Sequence, residues 1–87
     1  MKIKNGFVVR SIAGESVVVA LGEASKNFNG IIKLNETGRF LWDKLSEGAE
    51  TEELIEAILA EYDIDRETAE ADIIRFVDTL KGANILE

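Results

Sequence analysis

The residues able to carry chemistry in this chain are few in kind. Its 87 residues include no cysteine and no histidine. Thiolate nucleophiles, disulfides and cysteine metal sites are therefore excluded, and the commonest general base and transition-metal ligand are missing. What is left is carboxylate, hydroxyl, Lys, Arg and the single tyrosine, Tyr62. Two carboxylate pairs, Glu52/Glu53 and Asp63/Asp65, have the residue types for acid–base work or for a hard cation. Both sit beside expected helix starts, where negative charge complements the helix dipole and side-chain oxygens cap backbone N–H groups. The run Asp63-Ile64-Asp65-Arg66-Glu67 is too short for the loop of alternating oxygen ligands in an EF-hand. On this reading the carboxylates are caps, the chain is not an enzyme, and no cofactor or metal is implied.

Charge narrows the choice of partner. The net charge is −7, unevenly spread. Residues 1–34 hold five basic and two acidic residues, and residues 35–87 hold five basic and fifteen acidic ones. Nucleic-acid affinity comes largely from neutralising phosphates with Lys and Arg, so an acidic domain points away from DNA and RNA and toward protein. Met1-Lys2-Ile3-Lys4-Asn5-Gly6 has no secretory hydrophobic region. The longest uncharged apolar run, residues 16–22, falls far short of the roughly 20 residues that span a bilayer. A cytoplasmic address and no membrane partner are expected.

Composition and pattern then say what must position a binding surface. Hydrophobic residues make up 46% and charged residues 31% of the chain, a globular mixture with length for one modest core. Residues 1–87 are read as a single domain. Phe7–Ile12 is β-branched and aromatic, and Ala13-Gly14-Glu15 turns the chain into a second strand, Ser16–Leu21. A polar loop over residues 22–27 follows. Asn29-Gly30 closes it or opens a third strand, Gly30–Leu34. Three short strands with short loops make an antiparallel meander.

From residue 35 the apolar period becomes helical. Asn35 caps a first helix running to about Ser46, with Leu41, Trp42 and Leu45 on its core side. Thr51 caps a second, with Leu54, Ile55, Ile58, Leu59 and Tyr62 at helical spacing. Asp65 caps a third over residues 66–81, and Gly82 sits where a left-handed C-cap belongs. Ile85-Leu86 adds a short strand or packs on the core. Strands followed by helices give an α+β domain, a three-stranded antiparallel meander with three helices covering one face.

Two features of that arrangement ask for a partner. The third strand lies at a sheet edge, the chain has no proline, and Lys33 is the one charge in Gly30–Leu34. Such an edge either is protected by Lys33 and its shortness or accepts an extended peptide by strand addition. On the third helix, Ala69, Ile73, Phe76 and Leu80 fall within about 60° of one another and read as the core stripe. Val77 and Ile74 lie progressively round from it, beside Glu70, Asp78 and Lys81, and would line a groove next to the open strand.

The run Leu34-Asn35-Glu36-Thr37-Gly38, followed by Arg39-Phe40-Leu41-Trp42, resembles the PqqD-like family, named for pyrroloquinoline quinone biosynthesis. The likeness continues through Thr51-Glu52-Glu53-Leu54 and Tyr62-Asp63-Ile64-Asp65 into the third helix, nearly the whole chain. It implies a three-stranded sheet and three helices, similar to a winged helix-turn-helix. It also implies the role of a RiPP recognition element: binding the leader of a ribosomally made precursor peptide and presenting it to a modifying enzyme, often a radical SAM protein. In that family the leader adds to the third strand and packs on the third helix. Carried over by position, Gly30, Ile31, Ile32, Lys33 and Leu34 would supply the pairing backbone. Glu70, Ile74, Val77, Asp78 and Lys81 would form the opposing wall, Asn35, Thr37 and Gly38 would be structural, and Trp42 would be core or else part of an enzyme-docking face. Ile32→Pro is then expected to remove a donor that the peptide needs.

Two rival readings share the fold class. A winged-helix DNA regulator would need a basic recognition helix, yet Arg66, Arg75 and Lys81 are outnumbered by Glu67, Glu70, Asp72 and Asp78. A structural module would instead pair the open third strand across a two-fold axis as a homodimer.

Overall fold

Ile12 and Glu15 pair directly across the first hairpin, so β1 (Phe7–Ile12) and β2 (Glu15–Ala20) are joined by two residues, Ala13 and Gly14. Both have positive φ, 51° and 81°, the backbone of a type I′ turn whose twist matches that of the strands. The computed structural model describes residues 1–28 and 30–87; Asn29, expected to close the next loop with Gly30, lies outside them. That loop winds into a 3-10 turn, Gly22–Lys26, rather than running open. β3 (Ile32–Leu34) pairs antiparallel with β2, giving the order β1-β2-β3 with β3 at an edge. The expected third strand was two residues longer: Gly30 and Ile31 lie outside it.

Three helices follow, α1 (Glu36–Glu47), α2 (Thr51–Glu61) and α3 (Arg66–Gly82). Asn35 caps α1 through its side chain, which accepts from the Gly38 N–H at 2.8 Å. Asp65 caps α3 in the same way, accepting from Thr68 at 2.7 Å. The start of α2 differs from expectation. Thr51 is the first helical residue, and the cap is Glu50 in a reciprocal capping box with Glu53, whose Oε1 accepts from the Glu50 N–H at 2.9 Å. The end of α3 differs too. The left-handed residue is Asn84, with φ 61°, rather than Gly82. Ile85 N–H bonds back to Leu80 and Asn84 N–H to Lys81, a Schellman motif two residues later than glycine placement suggested.

The core lies between the sheet and the helices. Val18 and Leu34 enter it from the sheet, Leu41, Trp42 and Leu45 from α1, and Leu54, Ile55 and Ile58 from α2. Ala69, Ile73, Val77 and Leu80 enter from α3. The two chain ends close it: Ile3 bridges Leu86, and Lys2 C=O accepts from Glu87 at 2.8 Å. Ile85-Leu86 therefore does both things expected of it, pairing and packing. Among the described residues no helix is long and apolar enough to cross a membrane.

Candidate functional site

The direction of the backbone groups on β3 follows from the first hairpin. In an antiparallel ladder residues alternate between bonding one neighbour and the other. Leu21 N–H donates to Gly6 C=O at 2.7 Å, extending the β1–β2 ladder in phase with the Ile12–Glu15 closing pair. Odd-numbered residues of β2 thus bond β1, and Ser16 and Val18 face β3. Their partners there are Leu34 and Ile32. Lys33, opposite Val17, is left with its N–H and C=O turned to the open edge. Continued past the strand, the same alternation turns Ile31 outward as well.

Beside this edge runs an open groove of about 1030 Å³ between β3, the first turns of α1 and one flank of α3. Leu34, Gly38, Leu41 and Phe76 give it apolar walls. The packing at Gly38 is close. A Cβ there would stand 3.2 Å from Asn35 Oδ1 and 3.5 Å from both Leu34 Cδ2 and a Phe76 ring carbon. Asn35 and Gly38 therefore serve the junction between strand and helix, as the resemblance implied. The rim alternates in charge. Lys33 pairs with Glu15 at 3.2 Å, Arg39 with Asp43 at 3.3 Å, and Arg75 lies 3.7 Å from Asp72. In a chain of net charge −7, this rim is close to neutral.

The structure brings one half of the expected site to the groove. Ile32, Lys33 and Leu34 line it; Ile31, 77% exposed, lies just outside β3, and Gly30 is exposed beyond it. The expected helical wall is on the other side. The α3 residues lining the groove are Asp72, Arg75, Phe76 and Thr79. Glu70, Ile74, Asp78 and Lys81 fall on the opposite flank of the helix, and Val77 is buried in the core at 5% exposure. Only the N-terminal end of that flank is tied to α2; Ile74, Asp78 and Lys81 further along it stay exposed. Arg66 bridges from α3 to Glu52 and, at 3.6 Å, to Glu56 of α2, and it bonds Glu70 on its own helix at 3.0 Å. Phe76, assigned to the core by its spacing, does pack against the core but is only half-buried, and its other side walls the groove. Its aromatic ring beside a strand edge was the available signal.

Tyr62 is raised by burial and then by Glu36 and Glu61. Asp65 is lowered by the hydrogen bonds from Thr68, and Arg66 is raised by its bond and charge contact with Glu52. Each belongs to a cap or an interhelical contact. Among the described residues no three Asp or Glu side chains cluster as a metal site would need. The arrangement is that of a surface able to pair with an extended backbone and seat apolar side chains.

Comparison with known proteins agrees with this geometry. No curated protein matches the chain. Among solved structures, TbiB1 in complex with the TbiA(beta) leader peptide is similar over 100% of this chain and 95% of that one, with 34% identity and a TM-score of 0.77. A lasso peptide synthetase B1 complexed with its leader peptide is similar over 97% of this chain and 93% of that one. At 21% identity and a TM-score of 0.73 it supports the fold. The family model for coenzyme PQQ synthesis protein D matches residues 15–86, from the start of β2 to the closing Leu86. The chain belongs to the PqqD family.

Proposed function

We propose that residues 1–87 act as one peptide-recognition domain, a non-catalytic adaptor. It holds the leader of a ribosomally made precursor peptide and offers it to a modifying enzyme, such as a radical SAM protein, in the cytoplasm. The leader adds as a fourth strand on β3, pairing with the outward groups of Lys33 and Ile31, and drops alternate side chains into the groove against Leu34 and Phe76. The observation carrying this reading is the coincidence of an unpaired strand edge with an apolar-walled groove running alongside it. The relative solved with a leader peptide, at 34% identity over the whole chain, supports it.

A backbone NMR titration tests the reading. The labelled domain is titrated with the leader of a precursor encoded beside it, and with the TbiA(beta) leader as a second probe. Shifts concentrated on residues 31–38 and on Asp72, Phe76 and Thr79 are expected, with micromolar affinity or better. Shifts confined to Glu70, Ile74, Asp78 and Lys81 would return the wall to the other flank of α3. No shifts, together with a dimer closed through β3, would replace the adaptor with an oligomerisation module.

A further inference from the structure

The helices cover only one face of the sheet. Phe7, Val9 and Val18 point into the core, and the alternate residues Val8, Val17 and Val19 stand on the far face, outside the core cluster. At its margins are two of the most exposed large hydrophobics in the chain, Ile12 at 55% and Ile31 at 77%. Charge on this face is sparse. Glu15 and Lys33 pair with each other, and Arg10, directly across from Val17, has no ion-pair partner among the described residues. A contiguous apolar face left uncovered on a small domain marks a docking surface.

Charge decides the occupant. Strands of six residues at about 3.4 Å per residue, set about 4.8 Å apart, make a face of about 20 by 14 Å. Any partner confined to this face would bury about 600 Å² in total, half the roughly 1,200 Å² at the low end for stable pairs, so a stable partner must reach beyond the face. A two-fold contact on this face would bring like-charged Arg10 side chains toward each other. A different protein fits better, one whose apolar surface carries a carboxylate for Arg10. The face is continuous with the edge at β3, so a leader strand added there would extend it by one strand. A protein docked on the face would sit next to the bound peptide. We propose that the outer face of the sheet, centred on Arg10, Val17 and Val19, docks the enzyme that modifies the bound peptide. This rests on the adaptor reading above.

The test uses Arg10→Glu and, separately, Ile12→Ser, both on β1 and away from the peptide edge. Leader affinity is measured by fluorescence anisotropy. Peptide modification is followed with the enzyme encoded alongside that leader, as the concentration of domain is raised. Each variant is expected to bind leader within twofold of the parent. The domain concentration giving half-maximal modification should rise at least tenfold for Arg10→Glu and severalfold for Ile12→Ser. An unchanged half-maximal concentration in both variants overturns the proposal. So does a concentration-dependent parent dimer that either variant dissociates, which assigns the face to a second copy. A parent that binds no leader defeats the adaptor reading itself, an outcome visible before any enzyme is added.

Discussion

Replacing Lys33 with proline separates strand addition from mere proximity. Lys33 directs its N–H away from β2, so Lys33→Pro removes no bond from the β2–β3 ladder. Proline is tolerated at such an outward position on an edge strand. Its side chain is solvent-facing, and the ion pair it loses to Glu15 joins two exposed groups of little energetic weight. The domain should therefore stay folded, with an unchanged far-ultraviolet spectrum and a melting temperature within a few degrees of the parent. A leader pairing with this edge loses one hydrogen bond, worth about 1 kcal/mol net. The pyrrolidine ring also projects into the space where the added strand would lie, about 4.8 Å from β3. Together these effects should exceed about 1.4 kcal/mol, a tenfold or greater loss of affinity. The assay is anisotropy of a labelled leader. Ile32→Pro, expected from sequence to be the diagnostic change, is the wrong probe. Ile32 bonds Val18 rather than the edge, so proline there breaks a ladder of only three residue pairs and destabilises the domain. A folded Lys33→Pro variant that binds leader like the parent would refute strand addition on β3.

Other predictions follow from the same coordinates. Phe76 is half-buried and walls the groove, so Phe76→Ala should cost the leader about half of a phenylalanine's roughly 3 kcal/mol burial, near tenfold in affinity; Ile74→Glu, on the opposite flank, should leave it within twofold. Ala13 is held at φ 51°, a conformation that costs an L-residue about 1 kcal/mol, so Ala13→Asn should raise the melting temperature by about 4–8 °C in a calorimetric scan. The hydrogen bonds from Thr68 lower the ionisation of Asp65 in the folded state below 3.8, so its contribution is fully present above that pH and is lost as pH falls through the lowered value. Asp65→Ala should melt below the parent at pH 7, with the gap closing in acid; a gap that widens in acid would reverse the assigned sign.

The fold was legible wherever one residue type had one physical use. Asn35 and Asp65 begin their helices because a short oxygen-bearing side chain meets the free N–H groups there, and the β-branched and aromatic run Phe7–Ile12 favours a strand. Legibility failed where two residues served equally well. Both Thr51 and Glu50 can begin α2, and the choice depends on Glu53 reaching back to the Glu50 N–H. Both Gly82 and Asn84 tolerate a left-handed backbone, and burying Ile85 against Leu80 selects the later one. Ile3 gave no periodic signal, because its partner Leu86 lies at the other end of the chain.

The groove wall is where the structure and the helical wheel part, and the cause is geometric. At about 3.6 residues per turn, Phe76 and Val77 stand equally far, roughly 50°, on either side of the midline through Ile73 and Leu80. A helical wheel therefore identifies the core stripe and two symmetric shoulders, but carries no information on which shoulder faces β3. The fold makes that choice: Arg66 ties the Glu70 side to α2 through Glu52 and Glu56, and Phe76 stands on the β3 side. Asp72, Phe76 and Thr79, on the other shoulder, line the groove beside the strand edge. The strand half of the site needed no such information, since an edge is set by strand order alone. Phe76→Ala and Ile74→Glu thus test more than two side chains: opposite effects on leader binding would show that the fold, rather than the hydrophobic period of α3, assigns the peptide to its side of the helix.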